Sequence, residues 1–308
     1  MKTINFLTMA AFCAAVLCSC AGAEKHEDFV DNAPKPVEVK FGSKNIAAMQ
    51  TKVDGNLWDG NEEIGVFMVH HATNYIISAH NVKYTNSASG SAASFASTTP
   101  IFYPTSTSEK VDFVAYHPYA TLSSTWVYSI DVSDQSDQSA IDLMTAFADK
   151  GGTGYSQHDD EVDLNFEHRL VKLVFNITAG DGVDDANLTG LTVKIMNKNT
   201  LGTLSLEPGP SLVGIHIGTS NITALTSADG KTAEAIMLFN QAAAGTDIFF
   251  ETTGGITFKA TITSPVGSWA EGYKYTYDVN LSLNEAQLSG TGQPWLDGGN
   301  HTAEGFSE

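Results

Sequence analysis

Apolar and polar side chains alternate with a period of two along most of the chain, as in β-strands with one buried face. The pattern predicts strands at residues 37–41, 64–69, 111–116, 162–166, 170–177, 191–195, 235–239, 248–250, 256–262 and 273–281. Asp-Gly and Gly-Gly pairs lie between several of these runs and favour tight turns. We therefore expect an all-β chain made of β-sandwiches.

A polar, glycine-rich stretch at 179–187 interrupts this pattern after a long apolar run. It predicts a boundary between an N-terminal β-sandwich domain at 37–180 and a C-terminal one at 188–308, each of ordinary domain size. Residues 85–99 are rich in Ser, Ala and Thr, and we expect an exposed loop there. Residues 139–151 fit either a short helix or a loop that leads into a short strand.

Composition excludes several classes of protein. Hydrophobic residues make up 42% of the 308 positions, which is enough for a folded core. The chain has 16 Lys+Arg against 35 Asp+Glu, and its formal charge of −19 argues against nucleic acid as a partner. An apolar run approaching the ~20 residues of a membrane-spanning helix occurs only at the N-terminus.

The N-terminus resembles an export signal. Residues 1–19 join a basic start to an apolar stretch that is short for a bilayer span, as in a signal peptide. Leu17-Cys18-Ser19-Cys20 matches the bacterial lipoprotein cleavage box, so we expect Cys20 to be lipidated and to anchor the chain in the outer membrane at the cell surface. The alternative is an ordinary secretory signal cleaved near Ala21 or Ala23. Residues 20–36 are interpreted as a polar tether.

All three cysteines, Cys13, Cys18 and Cys20, lie in this segment. Cleavage after Ser19 would leave one cysteine, and that cysteine would be acylated. The mature chain is then expected to have no disulfide, no thiol nucleophile and no cysteine metal site. Because the signal contains Lys2 and no acidic residue, its removal changes the formal charge from −19 to −20.

Several segments, in order along the chain, resemble motifs of the fimbrillin family of Bacteroidales, the Mfa-like fimbrial subunit lipoproteins. They are 58–68 (WDGNEEIGVFM), 103–119 with VDFVAYHPY, 142–146 (DLMTA), 164–173 (LNFEHRLVKL), and 272–277 (GYKYTY) with 293–295 (QPW). The resemblance implies two tandem transthyretin-like β-sandwich domains after a lipoprotein signal peptide. It also implies assembly with other fimbrial subunits into surface fibres that support adhesion to a host or bacterial receptor.

Fibre assembly in this family proceeds by strand exchange. A sandwich that lacks one strand exposes a hydrophobic groove and unpaired backbone groups, which an extended segment of a neighbouring subunit can fill. The family opens the groove by proteolysis, commonly after an arginine, which removes the N-terminal strand. In this chain the single arginine is Arg169, inside a predicted strand region, and Lys52 occupies the comparable position.

Three outcomes of processing therefore stay open. A protease that accepts lysine cuts near Lys52, or at Lys44 or Lys40, and releases residues 37–41. Otherwise the strand stays in place, as in a lipid-anchored basal subunit, or the chain is a tip-like or accessory subunit. At the other end, residues 273–283 fit a core strand or a swapped strand, and 284–308 resemble a weak donor strand or a polar tail.

Candidate sites for chemistry are weak, and we expect no cofactor, no metal site and no catalytic residues. His70 and His71 are adjacent, and neighbouring side chains of a strand point to opposite faces, so a metal cluster with His80 is disfavoured. Acidic residues at 158–161 and 181–185 lack the spacing of a calcium loop. No hydrolase or phosphate-binding motif is present, and His168 would join a catalytic triad only by coincidence.

A surface lipoprotein that binds glycans without forming fibres is the alternative function. Four tryptophans could provide a stacking platform, although scattered tryptophans more often pack in cores or interfaces. They are Trp58, Trp126, Trp269 and Trp295.

Overall fold

The computed structural model describes residues 35–43, 58–208, 212–215, 219–283 and 285–295. The strands up to residue 179 are β1 (Phe41–Ser43), β2 (Glu63–His70), β3 (Val82–Asn86), β4 (Ala93–Ala96), β5 (Val111–His117), β6 (Val127–Asp131), β7 (Met144–Ala148), β8 (Val162–Asp163), β9 (Glu167–His168) and β10 (Val171–Ala179). After the short helix α1 (Asp185–Leu188) follow β11 (Thr192–Lys198), β12 (Leu201–Ser205), β13 (Leu212–Ile215), β14 (Ser220–Thr223), β15 (Leu225–Thr226), β16 (Thr232–Met237), β17 (Asp247–Glu251), β18 (Thr257–Thr261), β19 (Tyr273–Ser282) and β20 (Glu285–Pro294).

These strands confirm the all-β prediction. An eight-stranded sheet has the order β8-β1-β4-β3-β2-β5-β7-β9, and a five-stranded sheet has the order β15-β16-β10-β19-β20. A four-stranded sheet (β14-β11-β17-β18) and a three-stranded sheet (β13-β12-β6) complete the described part. No helix among the described residues is both long and apolar enough to cross a membrane.

Two apolar cores follow the order of the chain, and a third joins them. The first core is made of residues between Val39 and Phe166, and the second of residues between Val171 and Leu281. The third combines side chains from both stretches, such as Phe67 and Leu204, with Leu170 and Trp295. Strands β6 and β12, from the two stretches, also pair along five residues. The two parts are therefore joined by packing and by backbone hydrogen bonds.

Strand β10 lies with the later strands of the chain. It pairs antiparallel with β16 and parallel with β19 over eight register positions, Lys172 to Ala179. The sequence pattern predicts instead that these residues belong to an N-terminal domain ending at residue 180. On these pairings we propose a division near Leu170, the residue before β10.

The structure changes two local expectations. The exposed loop expected at residues 85–99 is confirmed at 87–92 and wrong at Ala93–Ala96, where β4 pairs with β1 and β3. Its buried residues are Ala93 and Phe95, and the small Ser94 and Ala96 on the exposed side obscure the alternation. For residues 139–151, the loop leading into a strand is correct and the helix is wrong, because β7 occupies Met144–Ala148.

The prediction of a core strand at 273–283 is confirmed. Tyr275, Tyr277, Val279 and Leu281 are buried on one face of β19, whereas Leu283 after the strand is exposed. Residues 1–34, 44–57 and 296–308 lie outside the described residues, and with them the expected signal peptide, Cys20, Lys44 and Lys52.

Candidate functional site

The N-terminal strand is inserted between two partners. Strand β1 pairs antiparallel with β4 and parallel with β8. Backbone N–H groups of Val162 and Leu164 donate to the carbonyls of Lys40 and Gly42, at 2.8 and 2.7 Å. Before β1, the N–H of Val39 donates to Ile101 and the carbonyl of Val37 accepts from Tyr103, both at 2.9 Å. Residues 37–43 thus fill a gap between the 93–103 and 162–164 segments.

The side chains of this segment complete the first apolar core. Val39 and Phe41 are each 1% exposed, whereas the intervening Lys40 is exposed. The Phe41 ring meets the rings of Tyr84 and Phe113 edge to face, with centroids 5.0 and 5.1 Å apart. Complete burial of a large apolar side chain stabilises a fold by about 1.5–3 kcal/mol. Removing the segment would therefore leave an apolar groove with unpaired backbone groups on both sides.

We call the site that residues 37–43 occupy the N-terminal seat. An open groove lies beside the start of this seat. It has a volume of about 760 Å³, and its lining includes Pro36, Ile77, Phe102 and Pro104. Phe102, the bridge partner of Glu38, is 44% exposed there. The groove is therefore open to solvent beside the place where the N-terminal strand begins.

The structure places Arg169 away from this seat. Its Nε donates to Thr145 Oγ1 at 2.6 Å, and its guanidinium pairs with Glu167 and Glu271 at 3.1 and 3.3 Å. The side chain is only 18% exposed. A protease that cuts after this arginine would have to disrupt the packed junction after β9, so Arg169 is unsuited as the site that frees the N-terminal strand.

A buried polar cluster lies at the end of β5 and beside β9, and no sequence pattern indicates it. His168 Nδ1 lies 2.9 Å from Asp142 Oδ1, and His117 Nε2 lies 3.8 Å from Glu62 Oε1. Burial lowers the pKa of His117 and raises that of Glu62 to about 7. The His168 ring is 4% exposed and is covered by Trp295. This histidine–aspartate pair is closed to a substrate and serves packing.

Replacing Glu62 by Gln is expected to change how stability depends on pH. Folded Glu62 holds its proton to about pH 7, whereas the unfolded chain releases it near the ordinary 4.5. The free energy of unfolding of the wild type therefore falls as the pH rises through this interval. That of the glutamine variant does not, because glutamine does not titrate. Urea unfolding at about pH 5 and about pH 8 should show the variant gaining on wild type at the higher pH.

Glu63 provides the matched control for this experiment. It is the next residue, its side chain is 43% exposed, and it pairs with Lys83 at 2.8 Å. Glu63→Gln should show the same difference from wild type at both pH values. If Glu62→Gln also differs from wild type by the same free energy of unfolding at both pH values, the pKa of Glu62 is not raised.

The other candidate residues are dispersed. His71 Nδ1 lies 2.9 Å from Asp112, while the His80 ring packs on Phe67. Among the described residues, no three His, Cys, Asp or Glu side chains are grouped to hold a metal ion. Trp58, Trp269 and Trp295 are buried, and Trp126 packs partly buried against Phe67, so the tryptophans form cores and not an exposed glycan platform.

Comparison with known proteins identifies the family of this chain. The model of a family described as fimbrillin-like matches residues 51–295. The chain belongs to this family. It is also 32% identical over 289 residues to a Bacteroides uniformis protein named "Putative fimbrium subunit Fim1C", covering 90% of this chain and 92% of that protein. Membership confirms the resemblance that the sequence motifs indicated.

Solved structures agree with this assignment. A crystal structure titled as a "putative cell adhesion protein" from Bacteroides uniformis has a TM-score of 0.72 and 29% identity, and covers 84% of this chain and 98% of its own. A second such structure, from Bacteroides ovatus, has a TM-score of 0.66 at 19% identity and covers 87% of this chain and all of its own. The second likeness concerns the fold alone.

Proposed function

We propose that this chain is a structural or accessory subunit of cell-surface fimbriae that assembles by β-strand complementation and supports adhesion. Membership of the fimbrillin-like family and the similarity to the Fim1C protein support the fimbrial role. The Bacteroides uniformis cell adhesion structure supports the adhesive one. Its partners would be other fimbrial subunits, and its location the cell surface.

The seat of residues 37–43 carries the mechanistic part of the proposal. The segment buries Val39 and Phe41 and uses backbone hydrogen bonds on both sides. Its loss leaves a site that an extended strand of another subunit can occupy, provided that this strand has large apolar side chains at alternate positions. The main-chain bonds would give affinity, and the two apolar pockets would give register.

Anchoring and processing are further parts of the proposal. We place the lipid on Cys20, which attaches the precursor to the outer membrane. Cleavage after Lys52 would then separate both the anchor and the N-terminal strand from the rest of the chain. Arg169 gives no comparable route, because it lies in a packed junction and is held by the hydrogen bond and ion pairs described above.

The N-termini of subunits in purified surface fibres test this proposal. We expect Val53 as the first residue in wild type, because cleavage follows Lys52. Lys52→Ala should yield few or no fibres, whereas Lys44→Ala, in the same connecting segment, should leave fibres and N-terminus unchanged. Mass spectrometry of the fibre subunits measures both. Assembled fibres whose subunits start at an acylated Cys20 would contradict cleavage.

A further inference from the structure

The open groove beside the N-terminal seat has a chemistry different from that of the seat. Most of its lining comes from the segments 77–82 and 99–106. Within the described part of the chain, Phe102 has one bridge partner, Glu38, which lies in the N-terminal strand. The other side of Phe102 is left open, and we consider here what could bind there.

The backbone of Phe102 points its polar groups to this open side. The carbonyl of Ile101 accepts from Val39, and the N–H of Tyr103 donates to Val37, so both groups point towards the N-terminal strand. The C=O and N–H of a trans peptide point in opposite directions, so the N–H and C=O of Phe102 point away from that strand. Neither has a hydrogen-bond partner among the described residues. One donor and one acceptor are therefore available to a ligand.

Two prolines exclude a β-strand as the ligand. Pro100 and Pro104 lie two residues before and two residues after Phe102, where an added strand would need further N–H donors. Proline has no N–H, and prolines at a sheet edge prevent the addition of a strand. The groove is therefore not a continuation of the N-terminal seat, and its ligand is not an extended peptide.

The side chains of the groove combine an aromatic ring with uncharged hydroxyl groups. The exposed residue Phe102 provides the ring, and Ser78, Thr105 and Ser106 are exposed hydroxyl residues of the lining. Glu109 is the one charged residue among those that line the groove. The lining contains no Lys, Arg or His, which are the side chains that bind phosphate, sulfate and carboxylate groups. An anionic ligand is therefore disfavoured.

Ser78 is held in place by the backbone on both sides of it. The N–H of Ile77 donates to the carbonyl of Met68 at 2.8 Å, and the N–H of Met68 donates to the carbonyl of Ala79 at 3.2 Å. Between these bonds Ser78 has a φ of +58°, in the left-handed region that few residues other than glycine adopt. A residue fixed before the ligand arrives lowers the entropic cost of binding.

We propose that this groove binds an uncharged oligosaccharide, with the ring and backbone of Phe102 at the centre of the site. The C–H face of a sugar ring packs on an aromatic ring, and sugar hydroxyls both donate and accept hydrogen bonds. The N–H and C=O of Phe102, with Ser78 and Glu109, would bind these hydroxyls. The volume of about 760 Å³ lies within the range of roughly 300–1,000 Å³ of ligand pockets. This inference names a receptor class and rests on the adhesive part of the proposed function.

A glycan array tests this proposal. The labelled mature chain with Cys20→Ser, uncut and monomeric, is applied to uncharged oligosaccharides of hexose and N-acetylhexosamine units and to the same oligosaccharides capped with sialic acid. We expect binding to uncharged members and weaker binding to their capped counterparts. Calorimetric titration then gives the affinity for the uncharged member that binds most strongly. Absence of binding to every uncharged member, or binding that requires sialic acid, would overturn the proposal.

Three variants locate the site on the chain. Phe102→Ala should lower the affinity at least about tenfold, because the stacking ring is lost, whereas Phe102→Tyr should retain it. Tyr75→Ala is the matched control, since Tyr75 is 76% exposed and is not part of the groove lining, and it should bind like wild type. Urea unfolding checks that each variant is folded. Equal affinities of Phe102→Ala and wild type would place the glycan elsewhere and overturn the assignment.

Failure of this inference is distinguishable from failure of the proposed function. Glycan binding is measured on the uncut monomer, whereas fibre formation is measured on subunits from the cell surface. A chain that forms fibres and binds no glycan would overturn only the inference. A chain that binds glycans and forms no fibres would support the inference and contradict the fimbrial role.

Discussion

Replacing Phe41 by Ala is expected to lower the free energy of unfolding by about 3–5 kcal/mol, the usual cost of deleting a buried phenylalanine ring. Phe41 is 1% exposed and meets Tyr84 and Phe113 edge to face. Its loss leaves a cavity between strands that are fixed by hydrogen bonds on both sides. Urea unfolding of the mature chain, followed by tryptophan fluorescence, gives the measurement.

Val37 provides the control on the same segment. It is 36% exposed, and its carbonyl accepts the N–H of Tyr103 whatever its side chain is. Val37→Ala should cost less than about 1 kcal/mol, as most exposed substitutions do. If Phe41→Ala were no more costly than Val37→Ala, the N-terminal strand would not be an integral part of the core, and removing it would open no groove.

Alternation predicted the fold class and many strands, because a half-buried strand imposes a period of two on its residues. It was least informative where small residues occupy the strand, as in β4, whose inward pair is Ala93 and Phe95. The pairing of β10 with β19 could not be read from the pattern either. Parallel partners distant in the sequence have no shared turn to reveal their register.

Sequence predicted the N-terminal seat in part. The run at 37–41 indicated a strand, and the family motifs indicated that it is exchangeable. The pairing of β1 with β8 depends on Val162, more than a hundred residues away. No sequence pattern indicates the polar cluster of Glu62, His117, Asp142 and His168 for the same reason, since its members are brought together only by folding. The sequence also does not show that Gly290 and Gly292 lie opposite tyrosines, because this depends on the pairing of β20 with β19.

A disulfide that holds the N-terminal strand in its seat is expected to block assembly, and this is the second large effect. Glu38 and Phe102 face each other between two flanking hydrogen bonds, which makes them a non-hydrogen-bonded antiparallel pair. The Cα atoms of such pairs are about 4.5 Å apart, within the range that a disulfide spans. Glu38→Cys with Phe102→Cys should therefore join the strand to its seat, and both side chains point to solvent.

Assembly of this locked variant is the most direct measurement of strand exchange. The mature chain with Cys20→Ser and a protease site in segment 44–57 is cut, and polymers are followed by light scattering and electron microscopy. The unlocked chain and both single-cysteine controls should polymerise. The locked chain should stay monomeric until a reductant is added and then polymerise like the others. Equal polymerisation of the locked chain before reduction would contradict exchange at the N-terminal seat.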